Sequence, residues 1–80
     1  MKIQILLFGI TTDLLETSSL EIEISNNCTV ADFKQILVAK YPVLENINSY
    51  AIAVNESYAS DTDILKENDV IAIIPPVSGG

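Results

Sequence analysis

The chain has 80 residues, enough for one small domain, and its four lysines, no arginine and eleven carboxylates leave a net charge of −7. Such an acidic balance excludes nucleic acid as a partner, where a basic stripe supplies most of the affinity, and offers nothing to an anionic membrane surface. One cysteine and no histidine exclude a disulfide framework, a zinc site and the triad chemistries built on an imidazole base. The apolar share of 49% excludes disorder. No run approaches the roughly 20 apolar residues of a membrane span, and the opening Met1-Lys2-Ile3 to Phe8 is too short and too broken for a signal-peptide core. The expectation is a soluble, cytoplasmic domain whose partners carry basic surfaces.

Taken in order, Lys2 to Phe8 begins by alternating, with Ile3, Ile5 and Leu7 on one face, and then turns apolar on both sides at Leu6 and Phe8. That pattern predicts a central strand, ended by Gly9. Residues 10–17 allow a turn or a single helical turn with Leu14 and Leu15 tucked inward. Leu20-Glu21-Ile22-Glu23-Ile24 is a clean half-buried strand, its glutamates toward water. Ser25-Asn26-Asn27 is turn chemistry. Thr29 then reads as a helix N-cap, with Asp32 completing a weaker form of the capping box.

Val30, Phe33, Ile36, Leu37 and Tyr41 make one apolar stripe of an amphipathic helix, and Pro42 stops it. Cys28, just ahead of that helix, reads as a small buried residue. After a connector over 43–49, Tyr50 to Val54 is a strand, Asn55-Glu56 a turn and Ser57 to Ala59 a brief strand. Asp61 to Leu65 reads as a short helical turn. Lys66 to Asp69 is a tight turn in which Asn68 best tolerates a left-handed backbone. Val70 to Ile74 is β-branched and apolar enough for a second central strand. The first and last strands belong side by side and parallel at the sheet centre, with the helix across one face.

Beyond them Pro75-Pro76-Val77-Ser78-Gly79-Gly80 stands apart. Two prolines forbid further ladder bonding and hold the chain extended. The diglycine removes every side chain before the last carboxylate. Six residues at about 3.3–3.6 Å each reach about 20 Å from the sheet, a shape suited to a narrow channel. With no nucleophile–base pair elsewhere, and Glu21 and Glu23 reading as a solvated strand face, this tail is the candidate seat of chemistry.

Leu6-Leu7-Phe8-Gly9, Thr29-Val30-Ala31-Asp32-Phe33, Ala53-Val54-Asn55 and above all the run from Leu65 to Gly80 resemble the ubiquitin-like β-grasp sulfur carriers. Among these the likeness is most specific to the small subunits of molybdopterin synthase, and it covers nearly the whole chain. Asn68 stands where that family usually has glycine. No arginine follows the first strand, so an arginine contact made there cannot be carried over.

The resemblance implies an α+β fold, with a mixed sheet of 4–5 strands on one main helix over residues 1–74 and a flexible tail over 75–80. It implies no catalysis by the domain itself and no bound cofactor or metal. An ATP-using activating enzyme of the ubiquitin-activating type would adenylate Gly80, and a covalent sulfur would then be carried there as a thiocarboxylate. That sulfur would pass to cyclic pyranopterin monophosphate in the large synthase subunit, within a heterotetramer, during molybdenum cofactor biosynthesis. Gly79 would keep the tail thin. Pro75, Pro76, Val77 and Ser78 would meet the partner, together with an apolar patch near the tail from the exposed faces of the first and last strands: Leu6, Phe8, and Ile73 or Ile71. Open alternatives are a carrier for the thiamine pathway, for tRNA thiolation or for protein conjugation, and an interaction module with an inert tail.

Overall fold

The computed structural model describes residues 1–76, apart from the side chain of Asn48. Its elements are β1 (Lys2–Leu7), α1 (Ile10–Leu15), β2 (Ser19–Glu23), α2 (Val30–Lys40), two 3-10 turns (Pro42–Leu44 and Ile47–Ser49), β3 (Ala51–Val54), β4 (Ser57–Tyr58) and β5 (Val70–Ile74). The strands form one sheet in the order β2-β1-β5-β3-β4. β1 and β5 run parallel at its centre, Leu7 beside Ile73, and the other neighbouring pairs are antiparallel. This is the expected β-grasp arrangement.

One face of the sheet is sealed. Ile3, Ile5 and Leu7 of β1, Ile22 of β2, Ile52 of β3 and Ile71 and Ile73 of β5 join Val30, Phe33 and Leu37 of α2 in a single core. Leu44, Ile47 and Leu65 from the connecting segments complete it. The period of two in the strands and the 3.6-residue period in the helix converge on this layer. Val30, Phe33 and Leu37 are fully buried, whereas Ile36 is 39% exposed. At 100° per residue, Ile36 lies about 100° around the helix from Leu37, so the predicted stripe is narrower by that residue.

Helix α2 begins on a reciprocal capping box. The Thr29 hydroxyl accepts the Asp32 N–H at 3.2 Å, and the Asp32 carboxylate accepts the Thr29 N–H at 3.2 Å. Two further N–H groups of its first turn, from Val30 and Ala31, are accepted by the carbonyls of Asp63 and Asp61. That use of its carbonyls explains why residues 61–65 are not the predicted helical turn. The segment runs alongside the start of α2, with Ile64 bridged to Thr29, and closes the donors that a helix N-terminus leaves open. In α1 Thr11 is fully buried and Leu15 packs partly buried against the core, as expected, while Leu14 is 37% exposed.

The entrance to β5 is a polar knot. The Asp69 carboxylate, almost buried, accepts the Lys66 N–H at 2.7 Å and the Asn55 side-chain amide at 2.9 Å. The Asn55 side-chain carbonyl accepts the Val70 N–H at 3.0 Å, and the Asn55 N–H goes back to the Val70 carbonyl at 2.8 Å. Asn55 and Glu56 both have φ above zero, as a two-residue type I′ hairpin between β3 and β4 requires. Asn68 takes φ 69, so the position that resembles a family glycine is left-handed and an asparagine tolerates it.

Removing the Asp69 carboxylate strands an N–H and an amide. Asp69→Ala is expected to cost about 2–3 kcal/mol, read in thermal unfolding as a drop of roughly 10–20 °C. A drop under about 3 °C would show that the knot is not needed. Cys28 is the only thiol and is buried; burial, then the nearby Asp32 carboxylate, pushes its pKa up. The native state therefore holds the thiol proton more tightly than the unfolded chain does. That contribution is intact below the ordinary thiol range and is lost as pH rises from about 8.5 through the raised native value. Urea midpoints of the parent are expected to fall faster than those of Cys28→Ala across that window, and parallel curves would refute the linkage.

Candidate functional site

Among the described residues no helix covers the sheet face opposite α2. By strand parity it presents Leu6 of β1, Val70, Ala72 and Ile74 of β5, and Ala51 and Ala53 of β3, since Leu6 pairs with Ala72, and Ala72 with Ala53. Tyr58 of β4 lies opposite Ala53 on the same face and is 79% exposed. Phe8, just past β1, adds a half-exposed ring. Leu6, Phe8, Val70 and Ala72 line an open depression of about 450 Å³, closed at one end by Asn55 and Glu56. Glu21 and Glu23 of β2, opposite Gln4 and Lys2, put carboxylates beside this apolar strip. The arrangement suits an apolar projection flanked by cations.

Parity also corrects one predicted contact. Ile73, expected on the exposed patch with Leu6 and Phe8, is fully buried in the core, as is Ile71. Both face α2, so the residues of β5 that share the open face with Leu6 are Val70, Ala72 and Ile74. The continuous apolar run of β5 hides its parity in the sequence; only the pairing with β1 reveals it.

The base of the tail leaves the sheet at the same end as this face. β5 makes its last pairing at Ile74 with Ala51, next to the exit of β1, and Pro75 is half-buried there while Pro76 is exposed. Gly9, where β1 turns into α1, approaches Pro75 closely. Val77, Ser78, Gly79 and Gly80, and with them the expected flexibility of the tail, lie outside the described residues. Among the described residues no cluster of three or more acidic, histidine or cysteine side chains could hold a metal. Nor is any helix long and apolar enough to cross a membrane. Cys28, buried where α2 begins with Leu65 N–H bonded to its carbonyl, is at the other end of the sheet from Pro75 and plays no part in this surface.

Comparison with known proteins places the chain in a group. The sequence profile of the ThiS family matches residues 5–80. The molybdopterin synthase sulfur carrier subunit of Arabidopsis thaliana is 36% identical over 81 residues, covering 100% of this chain and 84% of that one. The subunit of the same name from Drosophila erecta is 32% identical, covering 100% of this chain and 92% of its own length. Among solved structures, SAMP1 from Haloferax volcanii superposes with a TM-score of 0.89 at 22% identity, each chain covered in full. At that identity the likeness speaks for the fold.

The assignment of the two sheet faces is open to a direct check. Ile73→Asp, which puts a charge into the core, is expected to cost at least about 4 kcal/mol and leave little folded protein. Ala72→Asp, its neighbour on the open face, is expected to cost about 1 kcal/mol or less. Circular dichroism melts of the pair decide it, and equal losses would overturn the assignment.

Proposed function

Because the chain belongs to the ThiS family, we propose that it is the sulfur-carrying small subunit of a molybdopterin synthase, reacting through Gly80. The observation that carries the reading is the family match running through Gly79 and Gly80 to the last residue. The names of the curated relatives favour the molybdopterin pathway over the thiamine one. The domain contributes a rigid mount and a docking face, and the reaction happens on its tail in the pockets of partners.

In the first step a carboxylate oxygen of Gly80 attacks the α-phosphorus of ATP on an activating enzyme of the ubiquitin-activating type. Pyrophosphate leaves and an acyl-adenylate forms. This mixed anhydride is a far better acyl donor than the free carboxylate, since AMP is a good leaving group. A sulfur nucleophile at the sulfide level then adds to the same carbonyl carbon, AMP departs, and the terminus is a thiocarboxylate. In the large synthase subunit the thiocarboxylate sulfur would attack a carbon of cyclic pyranopterin monophosphate, a C–O bond at that carbon breaking as its oxygen leaves, and water would then hydrolyse the resulting thioester, leaving sulfur on the product and returning the terminus to a carboxylate. Two such subunit pairs make the heterotetramer of this reading.

Each tail residue has a physical task here. Gly79 and Gly80 let both pockets close on bare backbone. Pro75 and Pro76 remove conformational freedom that insertion would otherwise have to freeze. Val77 offers an apolar anchor inside the channel, and Ser78 the last side chain before the thin end. The strip of Leu6, Phe8, Val70 and Ala72 supports docking of the large subunit, and the carboxylates beside it favour a partner surface with lysine or arginine.

Incubation with a cognate activating enzyme, ATP and a sulfur donor is expected to add about 16 Da, the replacement of one oxygen by sulfur on an activated acyl group. Deleting Gly80 is expected to abolish the gain while leaving the melting temperature unchanged within a few degrees. A full-length chain that gains no mass beside an enzyme active on its own carrier would overturn the proposal.

A further inference from the structure

The turn between β1 and α1 is built more tightly than a connection requires. Gly9 sits at φ 57, ψ −132, a backbone conformation that side-chain-bearing residues essentially avoid. The space where its side chain would be is taken. A Cβ there would lie 3.1 Å from Cγ of Pro75 and 3.9 Å from its Cδ.

The backbone on either side of Gly9 is pinned. The buried Thr11 hydroxyl donates to the Phe8 carbonyl at 2.6 Å and accepts the Phe8 N–H at 3.1 Å. The Thr12 hydroxyl donates to the Leu7 carbonyl at 3.1 Å, and the Thr12 N–H to the Gly9 carbonyl at 3.1 Å. Facing this turn, Pro75 is the first residue beyond the β5 ladder, with a fixed φ and no N–H to extend the sheet. A bare α-carbon on a braced turn thus meets a rigid ring at the root of the tail.

We propose that Gly9 is a positioning residue for the chemistry at Gly80: its bare backbone is the seat on which the Pro75 ring rests, and the seat sets the direction in which the tail leaves the sheet. The proposal rests on the sulfur-carrier reading. Gly80 lies five residues beyond Pro75, a reach of up to about 17 Å when extended. A change of about 10° in exit direction would therefore shift the reacting end by about 3 Å, where misplacement by about 1 Å can cost on the order of a hundredfold in rate. The seat and the proline φ together restrict the directions from which the tail searches for a channel, which lowers the entropy lost on entry.

Four full-length chains test this: the parent, Gly9→Ala, Pro75→Ala and the double variant, each assayed for kcat/KM of thiocarboxylate formation by the activating enzyme and for thermal unfolding. Pro75→Ala is expected to lower kcat/KM about fivefold, through KM, with the melt little changed. Gly9→Ala is expected to lower it about tenfold or more. If both act through one contact, the double variant is expected to be no worse than about Gly9→Ala alone, the non-additivity of touching residues. Backbone strain at Gly9 without a seat would instead make the two losses multiply, and that result overturns the proposal. Should Gly9→Ala fail to fold, Pro75→Ala decides alone: a fall of the expected size in kcat/KM, carried by a rise in KM, supports the seat, and kcat/KM within twofold of the parent overturns it. A parent chain that gains no mass overturns the sulfur-carrier reading and the seat with it, whereas a parent that loads normally isolates any failure to the seat.

Discussion

The Asp69 carboxylate is the constraint on which the geometry of this molecule turns. It closes the turn that enters β5 and holds the Asn55 amide, whose carbonyl in turn fixes the Val70 N–H. Those bonds set the register of β5 against β3, and the Gln4 N–H bond to the Asp69 carbonyl sets it against β1. A slip of one residue would turn Ile71 and Ile73 out to water and bring Val70, Ala72 and Ile74 into the core. In a strand that is apolar at every position, hydrophobicity alone discriminates weakly between the two registers. A polar knot at its mouth supplies the discrimination, and its groups are mutually satisfied, so the burial of a carboxylate does not leave an unpaired charge.

From that register the functional geometry follows. Pairing of β5 with β1 in parallel brings both exits to the same end, so the turn after β1 and the root of the tail are neighbours. The same parity leaves Leu6, Val70 and Ala72 on the face away from α2, with Tyr58 and Phe8 at its margins. The open face and the root of the tail are thereby fixed by one set of central strands. In the proposed complex, a partner gripping that face would also hold the frame of reference for the tail.

Much of this was legible in the residues, and the reasons are specific. Leu20 to Ile24 alternates cleanly, Thr29 and Asp32 stand at capping-box spacing, Pro42 ends a helix, and Asn68 marks a left-handed turn; each is a local rule that the fold keeps. The central pairing of the first and last strands followed from their apolar character. What stayed hidden depends on contacts between distant segments. Residues 61–65 resemble a helical turn locally, but their carbonyls are used to cap α2. Ile73 could not be told from Ala72 by composition, because β5 shows no alternation. Ile36 matches the helical spacing of its neighbours yet falls at the edge of the stripe. The contact between Gly9 and Pro75 joins residues 66 positions apart, and only the parallel pairing of the strands brings them together.

The proposed function would separate stability from chemistry along the chain, and that separation has a physical basis. An 80-residue domain buries a modest core and can bear little strain. In the proposed sulfur-carrier role the reacting group would lie beyond the last ladder pairing, that of Ile74 with Ala51, and outside the core that holds the domain together. The requirement this proposed role would add is orientation: an end that reacts beyond the sheet would be aimed from its root at Pro75. A proline with fixed φ does part of this, and a second rigid element is needed to define the direction of the ring itself. Gly9, held by Thr11 and Thr12 in a conformation few other residues could take, stands where such an element has to be.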